Sequence, residues 1–349
     1  MVERLRSCNN FLLQFCKKLL QSGRMKHGQP FRSQCLPHEA QLRRWRAEGV
    51  SWREMAARLA AEHGLDISHN AVRSFLLRAE RRRPTLFFER IPESRRDGVL
   101  KQIAALWTHD SNAIEGNTLT LGETIKILEY GITIAGKSIR EHEEVYGHRR
   151  AIDLLYETTK KGRISEEDLF DLHRAVMPAC AVDWKNPVGA WKQEPNGTLG
   201  EADGRPEFLE YADPVFVPEL MARWLADFNA ALDRPPRAED ALEAYALAHV
   251  GFVSIHPFFD GNGRLARLLS NMPVLRAGEP PVVVDAARRA EYIDILWAYH
   301  RDVGPLVPSA APLVRRNAAF RRFVDFLRPD WDRVRDLCRK SISSGNAHS

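Results

Sequence analysis

Apolar residues recur at three- and four-residue spacings through most of this chain, a period that predicts a mainly α protein. In residues 36–83, Leu42, Trp45, Met55, Leu59, Val72, Phe75 and Leu76 keep that period across two interruptions, and Ser51 and Ser68 stand where helix N-caps belong. Three short helices are expected there. The last is amphipathic, with Arg73, Arg78 and Arg81 to Arg83 on or near its exposed side. This is a helix-turn-helix-like pattern, whose final helix can enter a DNA major groove while its arginines neutralise phosphates. Pro84 and Pro92 mark a linker edge. Beyond it one helix runs through about Ser111, breaks at Gly116 and restarts after Thr120. Further helices are expected at 139–161, 165–177, 214–232, 238–254, 263–277 and 288–303. The segment 238–254 is apolar all round, so that helix should be buried.

Residues 188–211 interrupt the helical rhythm. Asn196-Gly197 is the favoured two-residue hairpin turn, with Trp191 and Lys192 before it and Phe208, Leu209 and Tyr211 after it. A lone hairpin among helices has free edges, so it is a candidate strip for docking an extended peptide. The chain is therefore expected to divide into a flexible leader (1–35), a helix-turn-helix-like domain (36–84), a main helical domain with its hairpin (95–305), a helical extension (306–340) and a disordered tail (341–349). Part of the leader is read as sequence upstream of a start at Met25.

A length of 349 residues with 44% hydrophobic content suffices for one large core and a smaller one. The formal charge of +5 is unevenly spread: residues 1–90 hold 18 Lys and Arg against 8 Asp and Glu, and the rest hold 33 against 38. The basic part is thus the N-terminal one, where nucleic acid is the fitting partner. Five cysteines are scattered without a C-x-x-C pair, which argues against a disulfide framework or zinc site and for a reducing, cytoplasmic setting. No apolar run approaches the roughly 20 residues of a membrane span, so no membrane partner is expected. The segment FLLQFCKKLL is too short and too interrupted for a signal-peptide core.

The chemistry concentrates in HPFFDGNGRLAR, residues 256–267. Gly261, Asn262 and Gly263 form a loop that can turn backbone N–H groups inward, and the helix that restarts behind them points its positive end at the same space. Such a nest suits phosphate. Asp260 offers a hard carboxylate oxygen for Mg²⁺, and Arg264 and Arg267, three apart, share a helix face from which to grip distal phosphates. His256 can take a proton from an attacking hydroxyl. A base, a metal ligand and fixed positive dipoles are what phosphoryl or nucleotidyl transfer needs. The order of parts is neither a Walker P-loop nor a kinase glycine loop.

This segment resembles the Fic family motif, matching at His256, Pro257, Phe258, Asp260, Gly261, Asn262, Gly263, Arg264 and Arg267, and the likeness extends over about residues 95–305. The resemblance implies a helical Fic fold with a β-hairpin flap, and transfer of AMP from ATP to a Ser, Thr or Tyr hydroxyl of a protein, the chain itself included. It implies His256 as the base, Phe258 packed under the loop and Asp260 on Mg²⁺. Gly261, Asn262 and Gly263 would hold the phosphates, with Asn262 near the α-phosphate, and Arg264 and Arg267 would reach the β- and γ-phosphates. Trp191, Lys192, Asn196 and Gly197 would belong to the target-docking flap, with Lys192 where an arginine is more usual. A homodimer is a further partner the resemblance allows.

SNAIEGN, Ser111 to Asn117, resembles the family's inhibitory-helix pattern, with Ser111 and Glu115 at the matching positions on a helix near 101–116. Glu115 paired with Arg267 would occupy the guanidinium meant for the γ-phosphate and leave ATP in a pose unsuited to in-line attack. Some relatives also use this glutamate in removing AMP. The competing view is a DNA-binding transcriptional regulator, through Arg73, Arg78 and Arg81, whose Fic domain senses nucleotide or a partner. Three other features are given structural roles: His142, Glu143, Glu144 and His148 as a solvated helix face, and His173 and His249 as core residues.

Overall fold

The structure, a computed structural model, describes residues 34–81, 84–179, 185, 187–202 and 204–343. Most of the expected leader, Met25, Cys8, Cys16, Arg82, Arg83, Cys180 and the tail after Ser343 lie outside the described residues. Two compact units divide the chain, Met1–Arg82 and Arg83–Ser349.

In the first unit α1 (Glu39–Ala47), α2 (Trp52–His63) and α3 (His69–Arg81) enclose Leu42, Trp45, Met55, Leu59, Val72 and Leu76. Ser51 Oγ accepts the Glu54 N–H at 3.3 Å and so caps α2. Helix α2 ends at Gly64, whose φ of 64° a side chain would strain. Arg73 is exposed on α3. The side chains of Arg78 and Arg81 lie outside the described residues.

The second unit is mainly helical: α4 (Glu93–Ile114), α5 (Leu121–Tyr130), α6 (Ile139–Thr159), α7 (Glu166–Val176), α8 (Val217–Asp233), α9 (Ala241–Ile255), α10 (Asn262–Leu269), α11 (Asn271–Arg276), α12 (Arg289–Val303) and α13 (Ala318–Ser343). Capping boxes at Thr120, Ser138 and Ser165 start α5, α6 and α7, each satisfying two otherwise orphaned groups. Helix α9 lies between two apolar clusters. Ala248, Phe252 and Ile255 pack with α4, α7, α8 and α10, and Leu242, Tyr245 and Val250 pack with α12 and α13. Its all-round apolar surface is the reason it occupies the centre, and its C-terminal end delivers His256.

Three expectations need correction. The single helix expected at 263–277 is two, α10 and α11, because Pro273 has no N–H to offer the Leu269 carbonyl. The hairpin turn is not at Asn196-Gly197. β1 (Gly197–Ala202) pairs antiparallel with β2 (Arg205–Glu210) from Gly197↔Glu210 to Ala202↔Arg205, and the strands join through Gly204, φ 73°. Asp203-Gly204 is as good a turn pair as Asn196-Gly197, and the Asn196 side chain is engaged elsewhere. The solvated face expected on α6 is buried: His142, Glu144 and His148 all lie inside, while Ile139 and Tyr146 are exposed.

Candidate active site

His256 ends α9 in the left-handed region, with φ 52° and ψ 59°, the positive-φ non-glycine residue among those described. Pro257 disfavours the right-handed helical region for its predecessor, so the helix must stop there. The His256 N–H still closes onto Phe252 O at 2.9 Å. Its Nδ1 lies 3.2 Å from Val253 O, which makes Nδ1–H the donor and leaves the Nε2 lone pair free. Burial, assisted by the positive charge of Lys192, pushes the imidazole down to about 3, so it is neutral at physiological pH.

Below His256 the loop is built on Phe258, which is fully buried. His173 of α7 stacks on its ring at 3.8 Å, and Trp191 lies against it at 5.1 Å. Asn262 brackets the same residue from the other side: its Oδ1 accepts the Phe258 N–H at 3.0 Å and its Nδ2 donates to Phe258 O at 2.7 Å. Both polar ends of that side chain are therefore used by the loop itself. The Asn262 side chain thus staples the loop, with one Nδ2 hydrogen not engaged by Phe258.

His173 supports Asp260 in turn. Its Nε2–H donates to Asp260 O at 3.0 Å while its Nδ1 accepts the Gly189 N–H at 2.9 Å, an arrangement that requires the neutral ring. Burial pushes His173 down to about 4. At Gly261, φ 79°, a Cβ would come within 2.7 Å of Met177 Sδ and 3.2 Å of His173 Nε2, so only glycine fits the turn.

Asp260 projects outward with a side chain 53% exposed. Its Oδ1 accepts the Gly261 N–H at 2.6 Å, and its Oδ2 lies 3.6 Å from both the Arg140 and Arg264 guanidinium groups. Arg264 is nearly fully buried and reaches Glu144 Oε1 at 3.5 Å, yet its Nε and Nη1 have no hydrogen-bond acceptor. Arg264 thus sets a buried guanidinium at the N-terminal end of α10, with its Nη1 at ion-pair distance from Glu144 and its Nε without an acceptor.

Arg267 is fully engaged. Its Nη2 meets Glu115 Oε1 at 2.6 Å and Ser111 O at 2.8 Å, its Nε donates to Ser111 Oγ at 3.1 Å, and its Nη1 donates to Tyr292 OH at 3.3 Å. Tyr292 OH in turn meets His249 Nε2 at 2.9 Å. The pairing expected from the sequence between Glu115 and Arg267 is thus present. A Cβ at Gly263 would collide with Glu115 Oε1, so the carboxylate lies directly over the first turn of α10, the place an anionic ligand would take.

The four residues expected in a docking flap are placed differently. Lys192 is fully buried, its N–H donates to Pro257 O at 2.9 Å and its Nζ donates to Asn196 Oδ1 at 2.5 Å; burial lowers its pKa to about 8, opposed by Asp213. Asn196 Nδ2 reaches Phe258 O at 2.9 Å, and Gly197 is the first residue of β1. Trp191, Lys192 and Asn196 therefore brace the loop from beneath. The exposed apolar side chains of the hairpin are Leu199 and Phe208, paired across the strands, and sequence alternation on each strand was the signal that could have found them. His173 lies in the core as the sequence suggested, but its stack on Phe258, and that of Tyr211 on His256 at 3.8 Å, were not foreseen.

Comparison with known proteins agrees with this geometry. A model of the Fic/DOC family matches residues 163–273. The protein adenylyltransferase fic-1 of Caenorhabditis briggsae is 36% identical over 231 residues, 65% of this chain and 42% of that protein. Protein adenylyltransferase Fic of Nematostella vectensis is 34% identical over 213 residues, 60% of this chain and 46% of that protein. This chain thus spans less than half the length of these curated relatives. Among solved structures, a Fic domain containing signaling protein from Bacteroides thetaiotaomicron superposes with a TM-score of 0.63 at 27% identity, covering 78% of this chain and 96% of that one. Fic-1 from C. elegans gives 0.53 at 25% identity, covering 99% and 97%. The loop that presents His256, the glycine turn and the two arginines lies inside the segment, residues 163–273, that the Fic/DOC family model matches.

Proposed function

We propose that the protein is an adenylyltransferase that moves AMP from ATP to the side-chain hydroxyl of a protein, and that Glu115 restrains it. The observation that carries this reading is that the His256 Nε2 lone pair and the buried Arg264 guanidinium, whose Nε has no acceptor, flank in sequence the glycine turn that opens α10. In the reaction the target hydroxyl gives its proton to His256 Nε2 while its oxygen forms a bond to the α-phosphorus. The bond from that phosphorus to the bridging oxygen breaks, and pyrophosphate leaves with the electron pair. The first-turn N–H groups of α10 and Arg264 hold the phosphates. Asp260 suits Mg²⁺ as a single exposed carboxylate, since among the described residues no three His, Cys, Asp or Glu side chains gather and this ion commonly shares its shell with phosphates and water. Bound there, Mg²⁺ would neutralise phosphate charge. Glu115 holds Arg267, so the γ-phosphate loses its partner and the nucleotide its in-line pose. The same reading places the enzyme in a reducing cytoplasm, where the buried Cys35 and Cys338 stay as thiols.

The test is ATP labelled at either the α- or the γ-phosphate, given with Mg²⁺ to Glu115→Gly protein and to Glu115→Gly/His256→Ala protein. Covalent label from the α position alone, absent from the double variant, is the expected result. Label from the γ position would mean phosphoryl transfer instead and overturn the reading.

The N-terminal unit supports a second reading, DNA binding, on the excess of 18 basic over 8 acidic residues in the first 90 and on exposed Arg73. Changing Arg73, Arg78 and Arg81 together to glutamine should lower the salt dependence of duplex binding by about one slope unit per lost phosphate contact. Absence of binding by the unaltered protein at low salt removes this reading.

A further inference from the structure

Hydrogen bonding alone does not fix His256. Its imidazole lies flat on the Tyr211 ring, with centroids 3.8 Å apart and planes 2° apart. Tyr211 follows β2 directly; its N–H donates to Asn196 O at 3.0 Å, and its hydroxyl is hydrogen-bonded to Thr198 of β1. His300 of α12 lies against the same ring at 4.7 Å and is anchored by Nε2–H donation to Glu210 O at 2.7 Å. The tyrosine is held at its backbone, its hydroxyl and its ring in the absence of any ligand.

A neutral imidazole gains modestly from such a stack. A charged one gains more, because the face of an aromatic ring carries negative potential and attracts a cation within about 6 Å of its centroid. The proton that His256 receives in the proposed reaction would create that cation directly on the Tyr211 face. The attraction therefore grows as the proton moves, which lowers the barrier more than it stabilises the starting state. The setting calls for such help: Lys192 and His300 both disfavour positive charge on His256, and Val253 O is the hydrogen-bonding group that favours it. Tyr292 and Glu115 also act electrostatically on Tyr211.

We propose that Tyr211 is a positioning residue that fixes the plane of His256 and stabilises the imidazolium formed when the target hydroxyl is deprotonated. The reaction step rests on the adenylyl-transfer reading; the effect on His256 protonation does not.

The experiment replaces Tyr211 by phenylalanine, leucine and pentafluorophenylalanine in Glu115→Gly protein. Pentafluorophenylalanine keeps nearly the same shape while reversing the potential of the ring face. Phenylalanine should keep the kcat for α-label transfer within a few-fold, whereas leucine and pentafluorophenylalanine should each lower it about tenfold with KM for ATP little changed. In parallel, ¹⁵N NMR follows the onset of His256 protonation as the pH is lowered, which should begin at lower pH with the pentafluoro ring than with phenylalanine. Equal kcat and equal onset for those two isosteric rings would overturn the proposal, since a purely packing role predicts no difference. Should Glu115→Gly protein transfer no label at all, the adenylyl-transfer reading fails, and the nitrogen titration alone decides: separated onsets support the stack's effect on the imidazolium, and coincident onsets refute it.

Discussion

Replacing Glu115 by glycine should raise the rate of α-label transfer about 10- to 100-fold over the unaltered protein, the range set by removing one hydrogen bond between charged partners. The reasoning is local. Arg267 is 2% exposed and its Nη2 lies 2.6 Å from Glu115 Oε1, so in the proposed reaction a γ-phosphate would have to displace the Glu115 carboxylate, itself 39% exposed, to reach the guanidinium. Ser111 contributes through both its carbonyl and its hydroxyl, at 2.8 and 3.1 Å, so Ser111→Ala should give a smaller rise in the same direction. Arg267 keeps its Tyr292 contact in either variant and should not collapse into another ion pair. Comparison of initial rates at saturating ATP with Mg²⁺ checks this. An unchanged rate in Glu115→Gly protein that still binds ATP would show that the pair restrains nothing.

The second large effect is on stability in acid. His173 is buried neutral, with its folded-state pKa down at about 4 against about 6.5 for an unperturbed histidine. Between those values the unfolded chain binds a proton that the native one refuses, so the stabilisation is complete above about pH 6.5 and is lost as the pH falls toward 4. At pH 5 this amounts to about 2 kcal/mol from His173 alone. Its burial is near complete, so solvent screening takes little from that figure. His249, pushed down to about 3 by burial and then by Arg267, acts in the same sense. Denaturant unfolding at pH 7 and pH 5 should therefore show a loss of stability, and His173→Gln protein, whatever its stability at pH 7, should lose about 2 kcal/mol less between the two. An equal loss in the variant would mean that His173 takes up its proton in the native state despite the Gly189 N–H facing its Nδ1.

Much of this architecture was legible because it depends on neighbours in sequence. The helical period, the N-cap at Ser51, the helix start at Thr120 and the twelve residues 256–267 are all local patterns, and α9 announced its burial by being apolar on every side. What escaped depends on residues far apart. Asn262 was read as a phosphate ligand because its motif says so, while its bracket on Phe258 is a property of the folded loop. His173 gave no sign that it would sit between Asp260 O and Gly189 N, residues 87 and 16 positions away. The hairpin turn was misplaced because two favoured pairs, Asn196-Gly197 and Asp203-Gly204, lie seven residues apart; the tie from Asn196 to Phe258 settles which is free to turn. On α6, charge suggested solvent, but Glu144 is paired with Arg264 and hydrogen-bonded to Asn117 inside the domain.

On the proposed reading, the position of Glu115 over the first turn of α10 would make it, in binding terms, a tethered competitor. Its local concentration is set by the length and rigidity of the connection through α4 and α6, so dilution of the protein cannot weaken it. A free nucleotide would compete against that constant value, so the proposed restraint at a given ATP level would be set within the chain and tunable by anything that loosens the anchoring of Ile114 O to Arg289 or of Asp110 to Arg333.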